Sequence, residues 1–179
     1  KKPEGYDESL SIGKVKCFYG NFLVALRAAV YIDTLGAEGI KDAAQKAVLN
    51  ANYLMEGLKE FYPVAYDRVC MHEFVLTLEN LKHEKGVSAM DVAKAMLDYG
   101  IHPPTMYFPL IVHEDLMFEP TETETKETLD EAIRVLGEIR QIAEKDAQSL
   151  HEAPHRTIIG RVDEVRAARQ PVLKYAFND

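Results

Sequence analysis

The segment from His102 to Pro109 combines reactive side chains with a stiff backbone. Its sequence is His-Pro-Pro-Thr-Met-Tyr-Phe-Pro, so three prolines fall within seven residues. Proline fixes φ and removes a backbone donor, which disfavours a regular strand or helix here. A rigid loop that carries His102, Thr105 and Tyr107 is typical of a binding or catalytic site, although a plain crossover loop would have the same composition.

Two further candidates stand next to apolar runs that are typical of strands. Glu119 ends one such run and opens residues 119–125, an acidic and threonine-rich stretch with the composition of a solvated face before a helix. His72 precedes another apolar run. A single histidine in such a place is more often structural than catalytic. We therefore predict that Glu119 and His72 support a cleft rather than carry its chemistry.

Residues 151–155 read His-Glu-Ala-Pro-His and match the H-E-x-x-H zinc motif. In that motif, two histidines one helical turn apart bind the metal and the glutamate activates water. Pro154 interrupts the continuous helix that this geometry requires, and no histidine follows His155 as a third ligand. A helix end followed by a turn explains the segment better, so we do not expect a metal site at His151 and His155.

Other catalytic motifs are absent from the sequence. It contains no G-x-G-x-x-G, P-loop, G-x-S-x-G or C-x-x-C. Cys17 has no histidine near it in the sequence, so a thiol nucleophile has no support. Taken alone, the residues indicate part of a site rather than a complete catalytic set.

The composition excludes several classes of protein. The chain has 179 residues, of which 47% are hydrophobic and 28% charged, as in one globular domain with a core. A net charge of -8 disfavours general nucleic-acid binding, and no apolar run reaches the roughly 18 residues of a transmembrane helix. Two cysteines form no disulfide framework, so we expect a cytoplasmic protein with neither nucleic acid nor membrane as a partner.

Hydrophobic periodicity and turn residues predict helices and strands in alternation. Gly36 ends the first helix and Pro63 stops the second, while Ser88 caps a compact helix that Gly100 ends. The predicted helices are 18–35, 40–61, 87–100, 126–150 and 163–168, and the predicted strands are 64–69, 73–78, 106–112 and 116–119. This order favours an α+β fold, with a sheet of three or four strands, helices on one face, and long helices leading into it.

At these same residues the chain resembles the glycine cleavage system P-protein, glycine dehydrogenase (decarboxylating). The resemblance covers nearly the whole chain, and its tail is similar to that of subunit 2 of the two-subunit form. The stretches that carry the resemblance are 11–21, 72–76, 102–106, 116–122, 126–130, 153–155 and 161–173.

The resemblance implies a fold-type-I pyridoxal phosphate enzyme that decarboxylates glycine and passes the aminomethyl group to the lipoyl arm of the H-protein. Residues 1–62 would be the end of the large domain and the connecting helices, and residues 63–179 the small C-terminal α+β domain. The implied partners are P-protein subunit 1, H-protein and glycine. His102 and Thr105 then become candidates for a substrate or lipoyl channel, with His72 and Glu119 as supports.

One departure from the family pattern affects the expected activity. The family's Schiff-base lysine lies in a His-Lys motif beside a Gly-rich stretch, and this motif precedes the Ser-Ile-Gly-Lys region. In the present sequence, no lysine follows a histidine. We therefore expect a fragment that binds no pyridoxal phosphate and is inactive alone. A non-catalytic subunit-contact domain, which would use the alanine-rich faces of the first two helices, stays open as an alternative.

Overall fold

A computed structural model describes residues 8–13, 20–174 and 177. Cys17 and the predicted helix start at Phe18 lie outside these residues. The chain divides into two compact units, residues 1–42 and 43–179. No helix in the described part of the chain is long and apolar enough to cross a membrane. The boundary predicted between residues 62 and 63 concerns the domains of an intact enzyme and stays a prediction.

The first unit contains a short 3-10 helix, Glu8–Leu10, and the start of helix α1, Phe22–Leu58. The Asn21 side chain accepts the Val24 amide at 3.3 Å at the start of α1. Gly36 interrupts the helix with φ 62 and ψ -176, a conformation that glycine adopts without steric cost, which confirms the predicted break. Apolar side chains before this break are exposed, for example Phe22 at 73%.

The second unit is built on a three-stranded antiparallel sheet of order β1-β3-β2. In its register, Phe74 pairs with Phe118 and Thr105 pairs with Met117. The strands are β1 Phe74–Thr77, β2 Thr105–Met106 and β3 Asp115–Phe118, and the helices are α2 Glu79–Lys85, α3 Ala89–Leu97, α4 Lys126–Lys145, α5 Ala147–Glu152 and α6 Glu164–Arg169.

Alternate residues of the strands separate the two faces of this sheet. Phe74 and Phe118 belong to the core, where their rings stack with centroids 5.4 Å apart and planes 9° from parallel. Met117, one residue along β3, faces the other way with its partner Thr105. The last turns of α1 join the helices on the core face. The core residues from these elements include Ala51, Leu54, Met55, Leu58, Leu76, Leu116, Val92, Met96, Val135 and Leu136.

Local capping explains where α3 and α4 begin. Ser88 and Asp91 form a capping box, in which Ser88 Oγ accepts the Asp91 amide and the Asp91 carboxylate accepts the Ser88 amide. Thr125 Oγ1 accepts the Thr128 amide at 3.3 Å. The predicted cap at Ser88 is confirmed, and Thr125 has the same role at α4, because both side chains satisfy amides that a helix start leaves unpaired.

Two predicted strands are wrong. Within residues 64–69, only Val64 forms a β-bridge, with Leu76. Just beyond this stretch, the Asn52 side chain hydrogen-bonds to both main-chain groups of Cys70, at 2.8 and 3.0 Å. The strand predicted over residues 106–112 stops at Met106, because Tyr107 has φ 58 and turns the chain away.

The helices also differ from the prediction at two places. Helix α2 follows β1 directly and has a single buried residue, Leu81, so its sequence has no recurring apolar stripe to predict it. The long helix predicted over 126–150 ends at Lys145. Asp146 leaves helical geometry (φ -152, ψ 74), and its side chain accepts the Ser149 amide to start α5.

Candidate functional site

A groove of about 700 Å³ lies beside the edge strand β2. We call it the main groove. The loop 102–105 forms one side, and the start of α4 forms the other. Its floor is apolar and comes from the core, with Leu54, Met96, Phe118 and Leu129 contributing.

Three of the four predicted site residues line this groove, namely His102, Thr105 and Glu119. The sheet register brings them together, since Thr105 pairs with Met117 only two residues before Glu119. All three are exposed at the surface. His72 lies elsewhere, in a second groove of about 660 Å³, and Met117 borders both grooves.

The loop side of the main groove is fixed at both of its ends. Gly100 has φ 73 at the end of the α3 region, and the Ile101 amide donates to the Met96 carbonyl at 3.2 Å. At the other end, Thr105 enters β2. Pro103 and Pro104 stiffen the backbone between these two anchors. The side chains of His102 and Thr105 are therefore presented from a backbone with little freedom.

The opposite side of the groove is anchored to α1. Asn50 Nδ2 donates to the carbonyl oxygens of Thr121 and Glu124 at 2.9 and 3.0 Å. The Tyr53 hydroxyl donates to Asp130 Oδ1 at 2.5 Å. The threonine-rich stretch before α4 is thus bound to a neighbouring helix, and it positions the first turn of α4 against the groove.

The rim of the main groove is acidic. Glu119, Glu124, Glu127 and Glu131 line it. Hydrogen bonds from its own amide and from Thr125 hold the pKa of Glu127 below its usual range, and the hydrogen bond from Arg134 does the same for the pKa of Glu131. Both carboxylates are ionised at neutral pH. His102 is the one groove residue in the described part of the chain that could carry a positive charge.

The second groove has both apolar and charged side chains on its walls. Val75, Phe108, Pro109 and Met117 face it, together with residues 68–74. His72 Nε2 lies 3.8 Å from Glu73 Oε2, so the two side chains would form an ion pair when the imidazole is protonated.

Asp115 is a fully buried carboxylate at the start of β3. Neither of its oxygens has a hydrogen-bond partner among the described residues. Burial raises the pKa of Asp115 above its ordinary value of 3.8, and the charge of Glu114 acts in the same direction. Together they outweigh the nearby main-chain amides of Asp115 and Phe108, which lower this pKa. The sequence offered no sign of this, because nothing local distinguishes Asp115 from the polar residues before it.

The His-Glu-Ala-Pro-His segment, residues 151–155, has a backbone and hydrogen bonds that differ from those of a helical zinc motif. Helix α5 ends at Glu152, so no helix runs through all five residues. His151 Nδ1 lies 3.2 Å from Asp91 Oδ2, and His155 Nε2 lies 2.8 Å from the Ser149 carbonyl oxygen. Within the described residues, no group of three or more His, Cys, Asp and Glu side chains is placed to hold a metal ion.

The α4 side of the main groove was not evident from the sequence. Glu124, Glu127 and Glu131 follow one another at spacings of three and four residues, which places them along one face of a helix start. That spacing, together with the Thr125 cap, was the available signal. The same spacing is also typical of a helix face that points into solvent. Only the tertiary structure shows that this face lies opposite His102.

The fold and the groove together define a class of protein. A small antiparallel sheet with helices on one face is the arrangement found in the small C-terminal domain of fold-type-I pyridoxal phosphate enzymes. Residues 43–158 match the family model described as glycine dehydrogenase, C-terminal domain, and the chain belongs to this family. The resemblance to the P-protein is thereby confirmed.

Relatives and a solved structure agree with this assignment. "Probable glycine dehydrogenase (decarboxylating) subunit 2" from Treponema denticola is 61% identical over 170 residues, which is 95% of this chain and 35% of the relative. The protein of the same name from Thermosipho melanesiensis is 53% identical over 174 residues, 97% of this chain and 36% of the relative. The chain therefore spans about a third of the length of these relatives.

A crystal structure of glycine decarboxylase (P-protein) of the glycine cleavage system, in inhibitor-bound form, has the same fold. The TM-score is 0.55 at 28% sequence identity, over 65% of this chain and 26% of that chain.

Proposed function

We propose that this chain is the C-terminal domain of a pyridoxal phosphate-dependent glycine decarboxylase, the P-protein, in its two-subunit form. The intact enzyme would release carbon dioxide from glycine and pass the aminomethyl group to the lipoyl arm of the H-protein, with subunit 1 as its companion chain. One observation carries the proposal: in a chain of this family, His102, Thr105 and Glu119 converge on a single groove with an apolar floor.

The residues of this groove do not fit the cofactor itself. Pyridoxal phosphate needs a lysine for its Schiff base, and its phosphate is best held by cations and helix amides. The described lining of the main groove contains no lysine or arginine and has four glutamates on its rim. We therefore assign cofactor binding in the intact enzyme to residues outside this groove, and we expect the chain alone to be inactive.

The proposed role of the chain is to form a wall of the substrate or lipoyl channel. The groove volume falls in the range of about 300–1,000 Å³ that is typical of small-molecule sites. Its apolar floor suits a hydrocarbon arm, and His102 and Thr105 can hydrogen-bond a polar group at its end. The stiff backbone at Pro103 and Pro104 holds the side chains of His102 and Thr105 in place. Side chains held in this way can orient a substrate and exclude water.

Replacement of His102 by alanine in the intact two-subunit enzyme tests this role. We expect glycine decarboxylation or aminomethyl transfer to H-protein to fall by about tenfold, which corresponds to about 1.4 kcal/mol of lost transition-state stabilisation. His83→Ala is the matched control, because His83 is exposed on α2 and does not line the groove. Wild-type rates for both steps in the His102→Ala enzyme would contradict the proposed role of His102 in the channel.

A non-catalytic subunit-contact domain remains the second candidate function. Exposed apolar side chains on the first half of α1, such as Phe22, Leu23 and Val30, favour it. If this surface binds another chain by itself, the isolated protein should associate at micromolar concentration. A monodisperse monomer in analytical ultracentrifugation would count against this candidate.

A further inference from the structure

The turn that leads from α3 into the loop 102–105 is held by a later part of the chain, residues 153–156, which we call the bracing segment. Asp98, the C-cap residue of α3, accepts the amides of His155 and Arg156 on Oδ1, at 2.7 and 2.6 Å. Its Oδ2 lies 2.8 Å from the His155 amide. Successive main-chain amides that converge on one carboxylate form an anion-binding concavity, and such charge-assisted hydrogen bonds are strong.

The same turn forms part of the main groove. Residues 99–102 all line the groove, and His102 follows Asp98 by four positions. The Arg156 guanidinium lies over the ring of Tyr99, 5.9 Å from the ring centroid, within the range of a cation–π interaction. The bracing segment therefore holds Asp98 through main-chain amides and contacts the next residue, which lines the groove, through a side chain.

The bracing segment is itself fixed by contacts that do not involve Asp98. Ala153 is fully buried, and its carbonyl oxygen accepts from Arg161 Nε at 3.1 Å. His155 Nε2 lies 2.8 Å from the Ser149 carbonyl oxygen. The amides that reach Asp98 thus come from a segment whose position is already set, and the turn after α3 is the side of this contact that the hydrogen bonds place.

The turn after α3 has weaker restraints of its own. Its amides from residue 98 to residue 101 donate to carbonyl oxygens of residues 95–97, which are close neighbours in the chain. Tyr99 and Ile101 are half-buried against the core, but Gly100 is exposed, with nothing within 4 Å of the place a Cβ atom would take. Apolar packing is not directional, whereas hydrogen bonds depend on distance and angle. The hydrogen bonds of Asp98 therefore add a directional restraint, from partners 57 and 58 positions away.

We propose that Asp98 is a positioning residue for the channel: through the amides of His155 and Arg156, it sets the place of the turn from which His102 enters the main groove. This inference rests on the channel role proposed above for the main groove and deepens it by naming a residue that holds one side of the channel in place. Asp98 itself is outside the described lining of the groove. It acts through His102, because a misplacement of about 1 Å far from the chemistry can lower a rate by about a hundredfold.

The test uses the intact two-subunit enzyme and measures aminomethyl transfer with H-protein as the varied substrate. We expect Asp98→Ala to lower kcat/KM for H-protein by about fivefold, because His102 is no longer held in its place. In an enzyme that already carries His102→Ala, Asp98→Ala should change kcat/KM by less than about twofold, because the residue that it positions is gone. A merely structural role of Asp98 would give the same fall in both backgrounds.

Two further variants complete the design. Asp98→Asn keeps Oδ1, which accepts both amides, and should stay within about twofold of wild type. A fall as large as that in Asp98→Ala would contradict a role through these amides. Asp163→Ala is the matched control and should leave transfer unchanged, since Asp163 accepts the Arg166 amide at 2.8 Å at the start of the exposed helix α6, away from the groove lining.

The possible results separate the inference from the function on which it rests. Wild-type transfer in Asp98→Ala, or an equal fall with and without His102→Ala, would overturn the inference and leave the channel role of His102 standing. Wild-type transfer in His102→Ala would overturn the channel role and the inference together. If Asp98→Ala yields no folded enzyme, Asp98→Glu replaces it with the same expected results, because it keeps the carboxylate but moves it by one methylene group.

Discussion

Arg161 Nη1 donates to Asp91 Oδ1 at 2.6 Å, although 70 residues separate them in the chain. The other oxygen of the same carboxylate accepts from the amide and hydroxyl of Ser88 at 2.8 and 2.7 Å. Burial alone would raise the pKa of Asp91, but the hydrogen bonds from Ser88 and Arg161 outweigh it and hold this pKa below 3.8. One ionised carboxylate therefore starts α3 and anchors Arg161 in the C-terminal segment that follows α5.

Arg161→Ala should destabilise the domain by about 2 kcal/mol, because it leaves the buried Asp91 carboxylate without its charged partner. Arg161 is partly exposed, so the loss should fall below that of a fully buried pair. Urea denaturation would measure the change as a lower midpoint at an unchanged slope. Arg166→Ala is the control, since Arg166 lies on the exposed α6 and should change stability by less than about 0.5 kcal/mol. Equal midpoints for the two variants would contradict the expectation.

Elements defined by local signals could be predicted from the sequence. Ser88 with Asp91, and Thr125 before α4, are capping patterns that depend on residues only three positions apart. The failures involve distant partners. The strand expected at residues 64–69 is reduced to a single bridge between Val64 and Leu76, and the left-handed conformations of Tyr107 and Glu114 shorten the β2–β3 hairpin. No local pattern contained that information.

Asp115→Asn should change how stability depends on pH. Burial raises the pKa of Asp115 in the folded state above its ordinary value of 3.8, so the folded state binds this proton more tightly than the unfolded state does. The contribution of Asp115 to stability is then fully present below about pH 3.8 and is lost as pH rises through the folded-state pKa.

The measurement is the free energy of unfolding of wild type and Asp115→Asn between about pH 4 and pH 7. We expect the variant to gain stability relative to wild type as pH rises over this window. Glu60→Gln serves as the control, since it also replaces a carboxylate by an amide, and Glu60 is exposed to solvent. A difference between wild type and Asp115→Asn that is constant across the range would contradict a raised pKa.

Gly137→Ala should destabilise the contact between α4 and the end of α1. A Cβ atom at Gly137 would lie 2.9 Å from Phe61 Cζ and 3.1 Å from two further ring carbons. Alanine gains about 1 kcal/mol of helix propensity over glycine, but displacing the ring should cost about 1–3 kcal/mol. In a Phe61→Leu background the same change should become neutral or stabilising. A thermal-unfolding double-mutant cycle measures this coupling, and additive effects would contradict it.

The site could be predicted only in part, for a geometric reason. His102 and Thr105 stand in one proline-rich loop, so their proximity follows from the sequence. Glu119 joins them because Thr105 pairs with Met117, and a strand register between segments this irregular has no sequence signal. In the sequence, His72 and Glu119 were equivalent candidates, since each stands next to an apolar run. His72 lies in the second groove, because β1 is on the far side of β3 from β2.

Glu119→Gln and His72→Ala should therefore differ in the intact enzyme. Glu119 shares the main groove with His102 and Thr105, so removing its charge should lower aminomethyl transfer to H-protein by about three- to tenfold, or up to about 1.4 kcal/mol. His72 borders the second groove, and its replacement should change transfer by less than about twofold. Steady-state kinetics with H-protein as the varied substrate separates KM from kcat for each variant, with Glu152→Gln on the exposed end of α5 as the control. A larger loss in His72→Ala than in Glu119→Gln would move the channel from the main groove to the second groove.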